Sequence, residues 1–274
     1  MGRHLHFDCF SGVSGDMVLG ALVSAGLSWT SLVDGLKRLK LRGYRLQKRE
    51  VHRGALPAIK VDVIVQQGFQ RPLTLSRIRK ILADSTLPGP VKERSRSVFD
   101  RLAEAEGVAH GVDPKDVHFH EVGVVDSFID VVGGVLGCYL LNATRVTASP
   151  INVGAGSIQT SHGLLPVPGP AVAALARGIP IYADGPRCEL ATPTGVALLR
   201  TLASEFGPLP AMRSMAVGYG AGDHDPDGWS NVLRLFVEEE PTSAANQTER
   251  MIQIETNLDD LSPQTYEYIM EQLF

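Results

Sequence analysis

His118-Phe-His120-Glu121, followed by Asp126 and Asp130, is the densest set of potential metal ligands in the chain. Two histidines flanking one residue point the same way on an extended strand, and aspartates four residues apart share one face of a helix. Imidazole suits nickel, zinc, copper or iron, and carboxylates can ligate or orient the rings. A surface histidine pair beside a helix-capping carboxylate would use the same residue types. Asp130 argues against that plainer reading, because it lies among Phe128, Ile129, Val131 and Val132, where a carboxylate is costly without a partner or a cation. The metallo-β-lactamase type of signature also has two histidines around one residue, but its following Asp-His pair is missing here. His118, His120, Asp126 and Asp130 are therefore read as metal ligands, with Glu121 as a catalytic carboxylate.

The second feature runs from Asp8 through Ser11, Gly12, Ser14 and Gly15 to Asp16, a turn between a strand and a helix. Small residues let backbone N–H groups converge, and a helix N-terminus adds partial positive charge for phosphate or carboxylate. The Gly-Lys-Ser/Thr ending of a P-loop is absent. Asp8 and Asp16 are catalytic candidates that could alternatively hold magnesium or manganese. A third feature joins Asn152, Gly154, Gly156 and His162 in a long glycine- and proline-rich loop, where function tends to collect. Thr192 and Thr194, at a Thr-Pro-Thr-Gly helix start, offer hydroxyls and N–H groups to an anion or simply cap the helix. Gly218, Gly220 and Gly222 with Asp223 and His224 read as a strand end and turn. Cys9 is a possible soft ligand but more typical of a small buried hydrophobe.

These groups need a scaffold, and the hydrophobic pattern supplies one. The alternation from His4 to Phe10 predicts a strand, followed by a helix to about Gly26 and another over Trp29–Leu39. Strands follow at Tyr44–His52 and Ile59–Gln66. Val124–Leu141 is too long and apolar for an ordinary strand and predicts a buried helix, although Gly133, Gly134 and Gly137 weaken it. Strands are expected at Met215–Ala221 and Val232–Val237. The reading is an α+β fold of mixed α and β elements: a large domain to 237 with a helical insertion at about 74–110, a linker over 238–249, and the start of a second domain at 250–274. With 44% hydrophobic residues in 274, the chain can bury a real core. Its net charge of -4 gives no basic field for nucleic acid. Three scattered cysteines suit a reducing compartment, and neither a signal peptide nor a membrane span is evident, so a cytoplasmic location is expected.

Taken in order, the segments at His6–Met17, His118–Asp130, Asn152–Gly156 and Thr192–Gly195 resemble the LarC nickel-insertion family, and Glu255-Thr-Asn-Leu-Asp-Asp260 resembles the start of that family's C-terminal domain. The resemblance implies nickel insertion into pyridinium-3,5-bisthiocarboxylic acid mononucleotide to form the nickel-pincer nucleotide of lactate racemase. It also implies consumption of CTP with magnesium or manganese, bound mainly by the C-terminal domain. On this reading the chain is cut off soon after that domain begins and by itself can be inactive. Lactate racemase or other cofactor-synthesis proteins are the implied partners, and a homo-oligomer is left open. Two other readings use the same residues: a metal-dependent phosphohydrolase, and a non-catalytic carrier of precursor or metal.

Overall fold

The strand expected at the start of the chain forms over Gly2–Asp8 (β1), with Leu5 and Phe7 fully buried. In this computed structural model the described residues are 2–68, 73–115, 117, 119, 125–160, 163–240 and 262–273. β1 turns into α1 (Gly15–Ser24), then α2 (Trp29–Lys37) and the hairpin of β2 (Tyr44–Arg53) and β3 (Leu56–Val65). Helices α3 (Leu75–Asp84), α4 (Gly89–His110) and α5 (Val125–Leu140) follow, then β4 (Ala143–Ala148) and β5 (Ile151–Asn152). The hairpin β6 (Ser157–Thr160) and β7 (Gly163–Pro166), helix α6 (Pro170–Leu175) and β8 (Ile181–Tyr182) lead to α7 (Pro193–Leu202). The remaining elements are β9 (Glu205–Phe206), β10 (Ala216–Ala221), β11 (Val232–Glu240) and α8 (Pro263–Leu273). The fold is α+β.

A mixed seven-stranded sheet runs in the order β2-β3-β10-β11-β1-β4-β9. β1 pairs antiparallel with β11 and parallel with β4, while β10 pairs antiparallel with β11 and parallel with β3. α1 packs on β10 and β3, and α5 in turn packs on α1 and α2. The approach of α1 is close: a Cβ on Gly220 would collide with the Met17 carbonyl, so glycine is what lets helix and sheet meet. The glycines of α5 have the same use. Leu19 packs at Gly133, Leu198 and Val18 at Gly134, and Leu22 at Gly137, so the residues that weaken the helix locally are those that seat its neighbours.

The chain divides into two compact units, 1–240 and 241–274. In the first, β11 continues past Val237, because Glu238, Glu239 and Glu240 pair with His4, Arg3 and Gly2; the segment expected to begin a linker is sheet there. The second unit contains α8. Residues 250–261 of the expected second domain lie outside the described residues. The expected long glycine- and proline-rich loop that follows Asn152 contains the β6–β7 hairpin, in which Ser157 pairs with Pro166 and Thr160 with Gly163.

Candidate functional site

A cavity of about 400 Å³ opens where α1, α5 and α7 begin and where β3 and β10 border them. Each helix start has a local cause. Thr192 caps α7 by accepting the Gly195 N–H at 3.3 Å, and Pro193 occupies its first turn. Ser14 stands at the N-cap of α1, but its hydroxyl donates to Asp16 Oδ1 instead of accepting from the backbone. α5 carries Asp126 in its first turn, where a carboxylate complements the helix dipole. Three helix N-termini therefore border one space.

The lining is acidic. Asp16, Asp62, Asp126, Asp130, Asp223 and Glu189 face the cavity, and Lys60 is the one lysine or arginine among the described lining residues. Lys60, on β3, is buried and makes ion pairs with Asp16, with Asp223 at 2.7 Å and with Asp62 at 3.9 Å. Burial works against its ammonium, but Asp16 and then Asp223 outweigh that and hold its pKa above the ordinary lysine value. Asp130 has the opposite situation. Its Oδ1 is buried without a hydrogen-bond partner, and a Cβ on Gly15 would lie 2.6 Å from the Asp130 Cβ, so α1 presses against it. Burial pushes the Asp130 carboxyl well above the usual carboxylate range, with Asp16 and Asp126 adding to the shift and Lys60 opposing it.

The cavity thus brings together Ser14, Gly15, Asp16, Asp126, Asp130, Thr192 and Thr194 from the residues singled out in the sequence. Other candidates are placed elsewhere or are already committed. Asp8 pairs with Arg234 at 2.5 Å, while Asp16 pairs with Lys60, so each carboxylate has its own basic partner. Ser11 accepts from Trp229 Nε1 at 2.7 Å and donates to Asn231 Oδ1 at 3.0 Å, and Asn231 donates to the His224 carbonyl. Gly12, at φ 76°, would collide with the Leu190 carbonyl if it carried a Cβ, so its role is chain crossing.

Asn152 is fully buried. Its amide donates to the Phe10 and Asp184 carbonyls at 2.9 and 3.0 Å and accepts from the Gly154 and Asp184 N–H groups at 3.1 Å each. Two donors and two acceptor contacts use its hydrogen-bonding capacity within the fold. Gly154 and Gly156, at φ 79° and 91°, line up against Cys188 and Arg187. The Asn152 side chain thus clasps neighbouring backbone within the fold. Cys9 is buried, and burial followed by the nearby Asp8 pushes its thiol far up, which disfavours a thiolate ligand.

His118, His120, Glu121 and His162 lie outside the described residues; Val117 and Phe119, which alternate with the histidines, are buried in the core. Among the described residues, no three His, Cys, Asp or Glu side chains are placed to share a metal ion. Sequence reading missed Lys60, Asp62 and Asn231. The alternation Ile59-Lys60-Val61-Asp62-Val63 puts Lys60 and Asp62 on one face, a signal that was present but gave no indication of what that face meets.

A family model described as nickel insertion protein matches residues 5–274. Over 273 residues the chain is 44% identical to a pyridinium-3,5-bisthiocarboxylic acid mononucleotide nickel insertion protein of Desulfitobacterium hafniense, covering 98% of this chain and 67% of that one. A protein of the same name from a Nocardioides species is 46% identical over 266 residues, covering 97% and 66%. The chain spans about two thirds of the length of these relatives. No solved structure matches it.

Proposed function

The chain belongs to the nickel insertion protein family, and from that premise we propose that it inserts nickel into pyridinium-3,5-bisthiocarboxylic acid mononucleotide, with the acidic cavity as the place where metal and precursor meet. The observation that carries this reading is Asp130, a carboxylate with a buried, unpartnered oxygen facing a cavity lined by further aspartates. Such an arrangement is costly unless a cation completes it. Nickel is the cargo, so its ligands must hold it and then release it to the precursor's sulfurs; carboxylate oxygens and imidazole nitrogens suit a transient hold better than thiolates.

In this proposal Asp126 and Asp130 hold nickel together with His118 and His120, and Asp16 and Glu121 serve proton transfer around the reacting ring. Asp8 is left out because it pairs with Arg234 and does not line the cavity. The starts of α1 and α7, with Ser14, Gly15, Thr192 and Thr194, face the anionic precursor. CTP with magnesium or manganese, binding mainly to a longer C-terminal domain, and supply of the product to lactate racemase are proposed on the family resemblance alone. No helix among the described residues is long and apolar enough to cross a membrane, and a cytoplasmic site of action is part of the proposal.

The test is an anaerobic nickel titration by calorimetry, with metal analysis of desalted protein, on wild type, Asp130→Asn and His118→Ala/His120→Ala. Stoichiometric binding by wild type that is lost in folded variants is the expected result. Undiminished nickel binding in both variants would show that the metal is held elsewhere.

A further inference from the structure

The two ion pairs of Lys60 differ in kind. On its inner side the ammonium meets Asp16, which sits in the first turn of α1, is 16% exposed and also accepts the Ser14 hydroxyl. On its outer side it meets Asp223, whose side chain is 80% exposed although its carboxylate touches a lysine only 3% exposed. Asp223 therefore reaches Lys60 from the solvent side, at the mouth of the cavity. Its backbone follows Gly222, which is anchored: Arg53 donates to the Gly222 carbonyl at 2.8 Å, and the Gly222 N–H donates to the Asn231 carbonyl at 3.1 Å. Beyond it, Asp223, His224 and Asp225 are all exposed.

We propose that Lys60 anchors an anionic group of the precursor and that the Asp223 carboxylate occupies that seat in the free protein, leaving it when substrate enters. This deepens the proposed function and rests on it. A buried ammonium keeps its charge only with partners, and Asp16 remains as one when Asp223 swings out. An exposed carboxylate gives up such a pair at little cost, since it returns to water. The other lining charges are acidic, so an anion entering this cavity has Lys60 as its one full positive charge among the described lysines and arginines there. The starts of α1 and α7 add partial positive charge on the same side. Asp223 is thus a built-in competitor that keeps Lys60 paired between turnovers and sets a threshold for which anions bind.

The prediction is a pair of opposite effects on binding of the precursor mononucleotide, measured by calorimetry without nickel on the full chain. Asp223→Asn removes the competitor and tightens binding about twofold to fivefold, the range of an exposed ion pair. Lys60→Met weakens it by about tenfold or more, the loss of a charge-assisted contact. The dephosphorylated nucleoside distinguishes the anion: tightening with both ligands assigns Lys60 to a thiocarboxylate, and tightening with the mononucleotide alone assigns it to the phosphate. Asp223→Asn alters only an exposed carboxylate, so the test stands even if Lys60→Met does not fold. Unchanged or weaker binding in Asp223→Asn, with wild type binding normally, overturns the exchange and leaves nickel insertion intact. Failure of wild type to bind the precursor at all removes both.

Discussion

The turn at Ser11–Asp16 and the segment at Asn152–Gly156 have the same ingredients: glycines, small residues and one to three side chains able to hydrogen-bond. They are put to different uses. In the first, the Ser14 hydroxyl and the Asp16 carboxylate border a cavity, and Gly15 gives up its side chain so that α1 can press on Asp130. In the second, the amide of Asn152 is surrounded by backbone from Phe10, Gly154 and Asp184 and has no capacity left for a ligand. What separates the two is whether neighbouring chain has already satisfied the polar groups, which local sequence does not reveal.

The largest effect is expected from Asn152→Ala. If the segment is a clasp, the change leaves buried carbonyls and N–H groups unpaired and lowers stability by about 3–5 kcal/mol in urea denaturation, while folded protein keeps its nickel affinity. Loss of nickel binding without loss of stability would move Asn152 into the site. The second test is Asp130→Asn, which replaces a buried carboxyl with an unpartnered oxygen by a neutral amide of the same shape. Stability should rise by about 1–2 kcal/mol while stoichiometric nickel binding falls, the combination expected where a costly group is kept for function. A fall in both would make Asp130 structural.

The smallest effect concerns His4 and His6, buried on β1, whose rings share the Thr147 hydroxyl at 2.8 and 2.9 Å, while His6 Nε2 has no hydrogen-bond partner. Burial lowers the pKa of both, with Arg145 adding to the effect at His4 and Glu238 opposing it, and Asp8 opposing it at His6. The folded protein then binds fewer protons than the unfolded chain. Stability is complete above the unfolded value of 6.5 and declines as pH falls below it toward the lowered folded values. A loss of stability between pH 7.5 and 5, reduced in His6→Gln, is the expected outcome in urea titrations. A flat profile would mean that these rings charge freely, unlike the carboxyl of Asp130.

Much of the scaffold could be read from one dimension. The alternation of β1, the long apolar run of α5 and the Thr192-Pro193 start of α7 are local signals, and local structure follows them. The β6–β7 hairpin was hidden because Pro166 and the surrounding glycines look like loop when the partner strand is not considered. Of the site, Asp16, Asp126, Asp130 and Thr194 were legible because each is a polar group at a helix start or in an apolar run. Lys60 was not. In the sequence it is an ordinary lysine on a strand, and its meaning comes from Asp16 and Asp223, which lie 44 residues before it and far beyond it in the chain. Charge pairs across such separations are set by topology, not by spacing.

The pairing of β1 with β11 puts Gly2 opposite Glu240, so the first unit returns to where it began. A ring is one short connection away. Joining those two positions and opening the chain at an exposed turn such as Gly54 should give a circularly permuted unit with the same sheet, because the new ends fall where backbone faces solvent. The order in which the cavity's parts are synthesised is then separable from the cavity itself.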